Sequence, residues 1–273
     1  MMPTLLRWEW RLSVRPLAVS AGGLLALALA SLIPVLLHVP VLGPLGRVVA
    51  FASVFLLVPA WLLVLAWRYW TGMYGREGYF TMALPVRGRG LFAAKTLYAC
   101  AVALVGLVLS VAVGMGVYAV TTWADRADVG RAFGVLRDMA TAHPAMAWVG
   151  VAGAVVSLVC LIVEVAAVMS IGAEGRWNRM GIGAPLIGLV ILYVVTEVVN
   201  LVAILWVPIG ITINGPEPGR FVWRGMWSGF LDALRTGSQP DVLGLGSSLA
   251  AVALAVALGW WAVRSIERHT SLR

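Results

Sequence analysis

The sequence predicts an all-α integral membrane protein with six transmembrane helices, and three observations carry that reading. Of the 273 residues, 61% are hydrophobic and only 12% are charged. The mean hydropathy is +0.94, and a soluble protein of ordinary composition carries about 25% charged residues. Six apolar runs alternate with short polar gaps, and about 20 apolar residues cross a hydrocarbon core roughly 30 Å thick. Composition therefore excludes a soluble enzyme and a disordered tail. The formal charge of +8 does not indicate a nucleic-acid partner, because Lys and Arg fall in the gaps between apolar runs rather than on a soluble domain.

The runs occupy residues 17–37, 48–67, 96–123, 147–171, 184–207 and 242–263. The first lacks a small-residue cleavage pattern at its end and reads as a retained helix. The chain 1–273 reads as a single transmembrane domain, since the longest interval outside the spans, 208–240, is shorter than the roughly 40 residues below which a chain seldom folds unaided. One set of connections carries thirteen positive charges against four negative, and the other seven against six. Positive charge favours the cytoplasmic side, so both termini are expected there, at a cell membrane. Cys100 and Cys160 are too few for a disulfide framework or the usual cysteine zinc site. His38, His143 and His269 are isolated, and no metal is assigned.

Three segments are more than plain spans. Residues 4–15 place Arg7, Arg11 and Arg15 at i+4 intervals on one face and Leu5, Trp8 and Leu12 on another, the pattern of an N-terminal helix lying in the membrane interface. The external segment before the last span sets Trp223, Trp227 and Leu231 beside Met226, Phe230 and Leu234. That pattern predicts an amphipathic or re-entrant helix, with a lid packed on helix ends as the alternative. The connection 68–95 is the third: it puts Tyr74, Tyr79, Phe80, Met82 and Leu84 into a loop ringed by Arg76, Arg87 and Arg89. A short helix over residues 77–83 would end before Leu84-Pro85, because the residue preceding proline disfavours the α conformation. An ordered loop with this much apolar surface predicts a docking surface for another protein, or else a segment covering its own helix ends.

Residues 75–86 read Gly-Arg-Glu-Gly-Tyr-Phe-Thr-Met-Ala-Leu-Pro-Val and are followed by Lys95. This string resembles the loop of ABC-2-type permeases, the transmembrane subunits of bacterial ABC exporters. The matching positions are Gly75, Arg76, Glu77, Gly78, Tyr79, Thr81, Leu84, Pro85 and Lys95, with Phe80 in place of the frequent Leu. The order of an interfacial helix, six spans and a long external segment before the last span is similar too. The resemblance implies a coupling helix, with Arg76, Glu77, Gly78, Tyr79, Phe80, Leu84 and Pro85 docking on a separate ABC ATP-binding subunit. Arg176, Trp177 and Arg179 would make a second, smaller contact. ATP and Mg would then belong to that partner, and a second permease subunit would complete the transporter.

The residues themselves support the need for a partner, since energy for pumping would have to come from another chain or from an ion gradient. The only lysine is Lys95, preceded by Ala94, so the chain has no Gly-x-x-x-x-Gly-Lys-Ser/Thr loop to cradle phosphate. Two carboxylates, Glu164 and Glu197, fall inside spans four and five, where a charge at the bilayer centre costs on the order of 3 kcal/mol. With Thr196 and Asn200 beside Glu197, they are candidates for a translocation path, or for plain bonding to neighbouring helices. Gly106, Ser110 and Gly114, and likewise Ser247, Ala251, Ala255 and Gly259, form small-residue stripes for close helix contact, within the chain or between copies. Two other functions fit the same spans: an ion-coupled carrier using Glu164 and Glu197, and a non-transporting assembly or immunity protein. Inverted or parallel repeats often mark such carriers, and no repeat relates the two halves here.

Overall fold

The computed structural model describes residues 2–75, 78–83, 87–175, 180–213, 219–237 and 240–268. It is 83% helical. Among the described residues six stretches are long and apolar enough to cross a membrane: Pro3–Leu36, Leu42–Met73, Gly88–Ala124, Pro144–Gly172, Gly183–Trp206 and Gly246–Arg268. The protein is thus an all-α, multi-pass membrane protein. Large apolar side chains such as Phe55 and Leu63 stand on its outer faces, as lipid rather than water demands. Internal contacts gather the chain into two compact units, Met1–Asp138 and Met139–Arg273.

The first unit contains α1 (Met2–Leu36), α2 (Leu42–Phe55), α3 (Leu57–Met73), α4 (Gly78–Met82) and α5 (Gly88–Ala124), with α6 (Val129–Ala142) running across the boundary. Residues 4–15 do not form a separate interfacial helix, as the sequence had predicted. They are the first turns of α1, whose 35 residues rise about 52 Å. The cause is one continuous inner face. Ser13, Leu17 and Ala21 recur at i+4 and are buried, while Arg7, Arg11 and Arg15 stay exposed. Leu17 and Ala21 pack in a core with Leu57, Trp61, Leu65, Tyr98 and Val102. Pro16 sits inside the helix without ending it.

The second span is likewise not one helix. Pro59 has no N–H to bond the carbonyl of Phe55, and the helix is interrupted at Leu56 between α2 and α3. The stripe Gly106–Ser110–Gly114 of α5 is a seam within the chain. A Cβ on Gly106 would stand 2.8 Å from the Trp61 ring, and Ser110 Oγ donates to Val54 O at 2.9 Å.

The second unit contains α7 (Pro144–Gly172), α8 (Gly183–Trp206), β1 (Gly210–Thr212), β2 (Phe221–Val222), α9 (Trp227–Thr236), β3 (Val242–Gly244) and α10 (Gly246–Arg268). Small residues bring α10 onto α7: Ala255 and Ala262 are buried, and Ser265 Oγ donates to Ser170 O at 3.3 Å. The last span begins at Gly246 rather than 242. Residues 242–244 are apolar enough to read as helix, but they pair with β1 in the antiparallel sheet β2-β1-β3, with Ile211 opposite Phe221 and Leu243. The expected helix before this span is correspondingly short. Trp223 lies outside it and is exposed, whereas Trp227 stacks on Trp206 at the end of α8, centroids 4.9 Å apart and planes 20° from parallel.

Candidate functional site

The site lies in the first unit, where α3 ends and α5 begins. At the end of α3, Tyr74 N–H and Gly75 N–H both donate to Trp70 O, at 2.8 and 3.1 Å. A Cβ on Gly75 would lie 2.8 Å from Thr71 O, so this close turn requires glycine. The chain then enters α4, the short helix expected in this loop. Gly78 faces inward and Thr81 Oγ1 donates to Gly72 O at 2.7 Å. The opposite side carries Tyr79 and Phe80, 54% and 81% exposed. One side of α4 is therefore tied to the last turn of α3, and the other offers two aromatic rings left largely uncovered by the described residues.

Beneath that tie lies a buried ion pair. Lys95 Nζ stands 2.5 Å from Glu9 Oε1, with the side chains 8% and 15% exposed. One turn further on each helix, Ser13 and Tyr98 share a hydrogen bond between their hydroxyls. Gly72 completes the cluster, since a Cβ there would stand 3.0 Å from Lys95 Nζ. Taking two charges out of water costs several kcal/mol each, and close pairing with further hydrogen bonds offsets that cost. The result is a polar knot joining α1, α3 and α5, with α4 fastened to it through Thr81.

Glu9, Ser13, Gly72 and Tyr98 were not among the residues singled out from the sequence. A signal existed: Glu9 and Ser13 sit at i+4 on the face that continues into Leu17 and Ala21, and Tyr98 follows the sole lysine by one turn. Of the expected coupling residues, Gly78, Tyr79 and Phe80 are placed as above. Arg76, Glu77, Leu84, Pro85, Arg176, Trp177 and Arg179 lie outside the described residues.

The expected membrane carboxylates separate. Glu164 is buried in α7 at 3% exposure, and its Oε1 has no hydrogen-bond partner among the described residues. Glu197, expected to be buried, is exposed on α8. Consecutive helical positions differ by about 100°, so Thr196 turns inward while Glu197 turns out; the buried Thr196 Oγ1 and Asn200 Oδ1 are also without partners. The contacts Gly172–Pro185 and Gly188–Val168 set the antiparallel register of α7 and α8. That register puts Glu164 level with Leu192 and Thr196 about 6 Å further along the axis. No group of three or more His, Cys, Asp or Glu able to hold a metal occurs among the described residues.

Comparison with protein-family models, curated proteins and solved structures gives no match for this chain.

Proposed function

We propose that this chain is the ABC-2-type permease subunit of a bacterial ABC exporter, moving a drug, peptide or lipid-like substrate with ATP hydrolysed by a separate subunit. The observation that carries the reading is α4, a short helix with Tyr79 and Phe80 exposed and its other side tied through Thr81 to Gly72 of α3, next to the Lys95–Glu9 pair. An exposed aromatic pair on an ordered loop is the usual anchor of a protein interface. Displacement of α4 by a partner acts on α3 through Thr81 and Gly72. From there it acts on α5 and α1 through Lys95 and Glu9. Three helices then respond together, which is what coupling ATP hydrolysis to a change of access requires.

In this reading Arg76, Glu77, Leu84 and Pro85 extend the contact around α4, and Arg176, Trp177 and Arg179 form the lesser one. The α4 end faces the cytoplasm, both termini lie on that side, and ATP and Mg bind the partner. The absence of any phosphate-cradling lysine motif in the chain supports a separate ATPase. The test is co-purification of the full chain with a candidate ATP-binding subunit from the same genome, with Phe80→Asp as the variant. Stoichiometric binding and vanadate-sensitive transport that Phe80→Asp abolishes are expected. An ATPase that binds the variant as well as the parent would overturn the reading.

A second reading, an ion-coupled carrier, draws on the unpartnered buried oxygen of Glu164. In that case Glu164→Gln abolishes gradient-driven uptake, whereas a permease keeps ATP-dependent transport.

A further inference from the structure

Within the second unit, α7, α8 and α10 enclose an apolar groove of about 570 Å³, in which every lining residue is aliphatic, methionine, glycine or tryptophan. Its floor is close-packed: a Cβ on Gly188 would stand 2.7 Å from Val168 Cγ1, and one on Gly172 would stand 2.9 Å from Pro185 N. Its walls are not, for Ile187, Ile191 and Trp261 keep 49%, 58% and 45% of their surface exposed.

The groove runs along α8 from Ala184 to Val195, twelve residues spanning about 17 Å. One leaflet of a hydrocarbon core is about 15 Å deep, so the groove is as long as one leaflet is thick. It starts where α7 ends, α8 begins and α10 approaches its C-terminus, which is a membrane surface rather than the bilayer centre. Trp261 lines the groove from α10, and the basic residues of α10 follow it toward that surface. Three residues beyond Trp261, the exposed Arg264 holds its guanidinium 5.6 Å from the centre of the Trp260 ring. Arg268 follows one turn later, and the two outweigh the single carboxylate Glu267 between them.

We propose that this groove holds one acyl chain of an anionic phospholipid, with its headgroup phosphate at Arg264. Length, lining and charge each select this occupant. A second copy of the chain would have to present a single 17 Å ridge and an anion at its end, whereas every anionic phospholipid in the leaflet already has both. The proposal needs only a membrane around the protein and stands apart from the transport reading.

Native mass spectrometry of the purified full chain tests it, with phosphatidylglycerol and phosphatidylcholine supplied in equal amounts. The parent is expected to retain phosphatidylglycerol about fivefold over phosphatidylcholine, the worth of one basic residue near an anionic surface. Arg264→Gln leaves the groove intact and brings that ratio close to one. Ile191→Trp fills the groove from an exposed position and removes the retained lipid, while Val256→Trp, on the far side of α10, does not. Equal retention of both lipids by the parent would overturn the proposal. So would full retention of phosphatidylglycerol by Ile191→Trp. A mass change from dimer to monomer in Ile191→Trp, with its lipid kept, would assign the groove to a second copy instead.

Discussion

Lys95, the only lysine in the chain, is paired with Glu9 at 2.5 Å across 86 residues of sequence. Removing one member of a buried pair leaves an uncompensated charge and costs about 3–5 kcal/mol, whereas replacing both by apolar groups is near neutral. Glu9→Gln and Lys95→Met should each lower the unfolding temperature of the detergent-solubilised chain markedly. The double variant Glu9→Leu/Lys95→Met should recover most of the loss. Under the proposed transport function, a pair that links α1 to α5 makes the double variant stable yet poorly coupled, so that ATP hydrolysis by a bound ATPase would move little substrate.

Glycines divide by what a Cβ would meet. At Gly246 it would overlap Ala203 O, a backbone atom that moves only if α8 and α10 separate. Gly246→Ala should therefore destabilise by about 1–3 kcal/mol, the range for overpacking a tight contact. Gly153, within α7, has nothing within 4 Å of that position. Gly153→Ala should be neutral or raise stability by up to about 1 kcal/mol, because alanine is the better helix former. Thermal unfolding of the two variants side by side checks both.

The six spans were legible because crossing a membrane is a demand on length and apolarity that local sequence must meet alone. Their ends were less so. Residues 242–244 satisfy that demand but find partners in β1, and strand pairing with residues about 30 positions away leaves no local trace. The break at Leu56 was legible in principle from Pro59. The polar knot was hidden for a different reason. In lipid the large apolar residues face outward, so the inner face of α1 is the one with Glu9, Ser13 and Ala21. A reading that looks for the apolar side of residues 4–15 chooses the wrong face. The pairing of Glu9 with Lys95 is a tertiary fact, though a lone lysine and a lone glutamate at matching ends of two spans narrow the choice.

Glu164 is 3% exposed, with Oε1 unbonded among the described residues. A buried polar group without a partner costs about 1–3 kcal/mol, and an apolar group of similar size removes the cost. Glu164→Leu should therefore raise the unfolding temperature of the isolated chain, while Glu164→Gln leaves it nearly unchanged. Under the proposed transport function, this costly carboxyl would serve the working cycle, and the stabilised Leu variant should then transport poorly when reconstituted with its ATPase. A Leu variant that unfolds earlier than the parent would mean the carboxyl holds the fold.

Glu197 points to a copy of the chain or a sister subunit. It lies one turn from Tyr193, which is 67% exposed, and both occupy an outer face of α8. A carboxylate left against lipid near the middle of a span costs about 2.5–3.5 kcal/mol, and such groups almost always face protein or water instead. The tyrosine hydroxyl makes the same demand more weakly. This face is therefore expected to be covered by protein, with α8 of a second copy of the chain as the simplest cover, where the two carboxyls would line a shared interior. With Cys100 and Cys160 replaced by serine, Glu197→Cys should form a covalent dimer under mild oxidation in native membranes. Val252→Cys, on an exposed face of α10, should stay monomeric. Equal cross-linking at both positions would indicate random collision, and none at Glu197→Cys would leave that face to lipid and water.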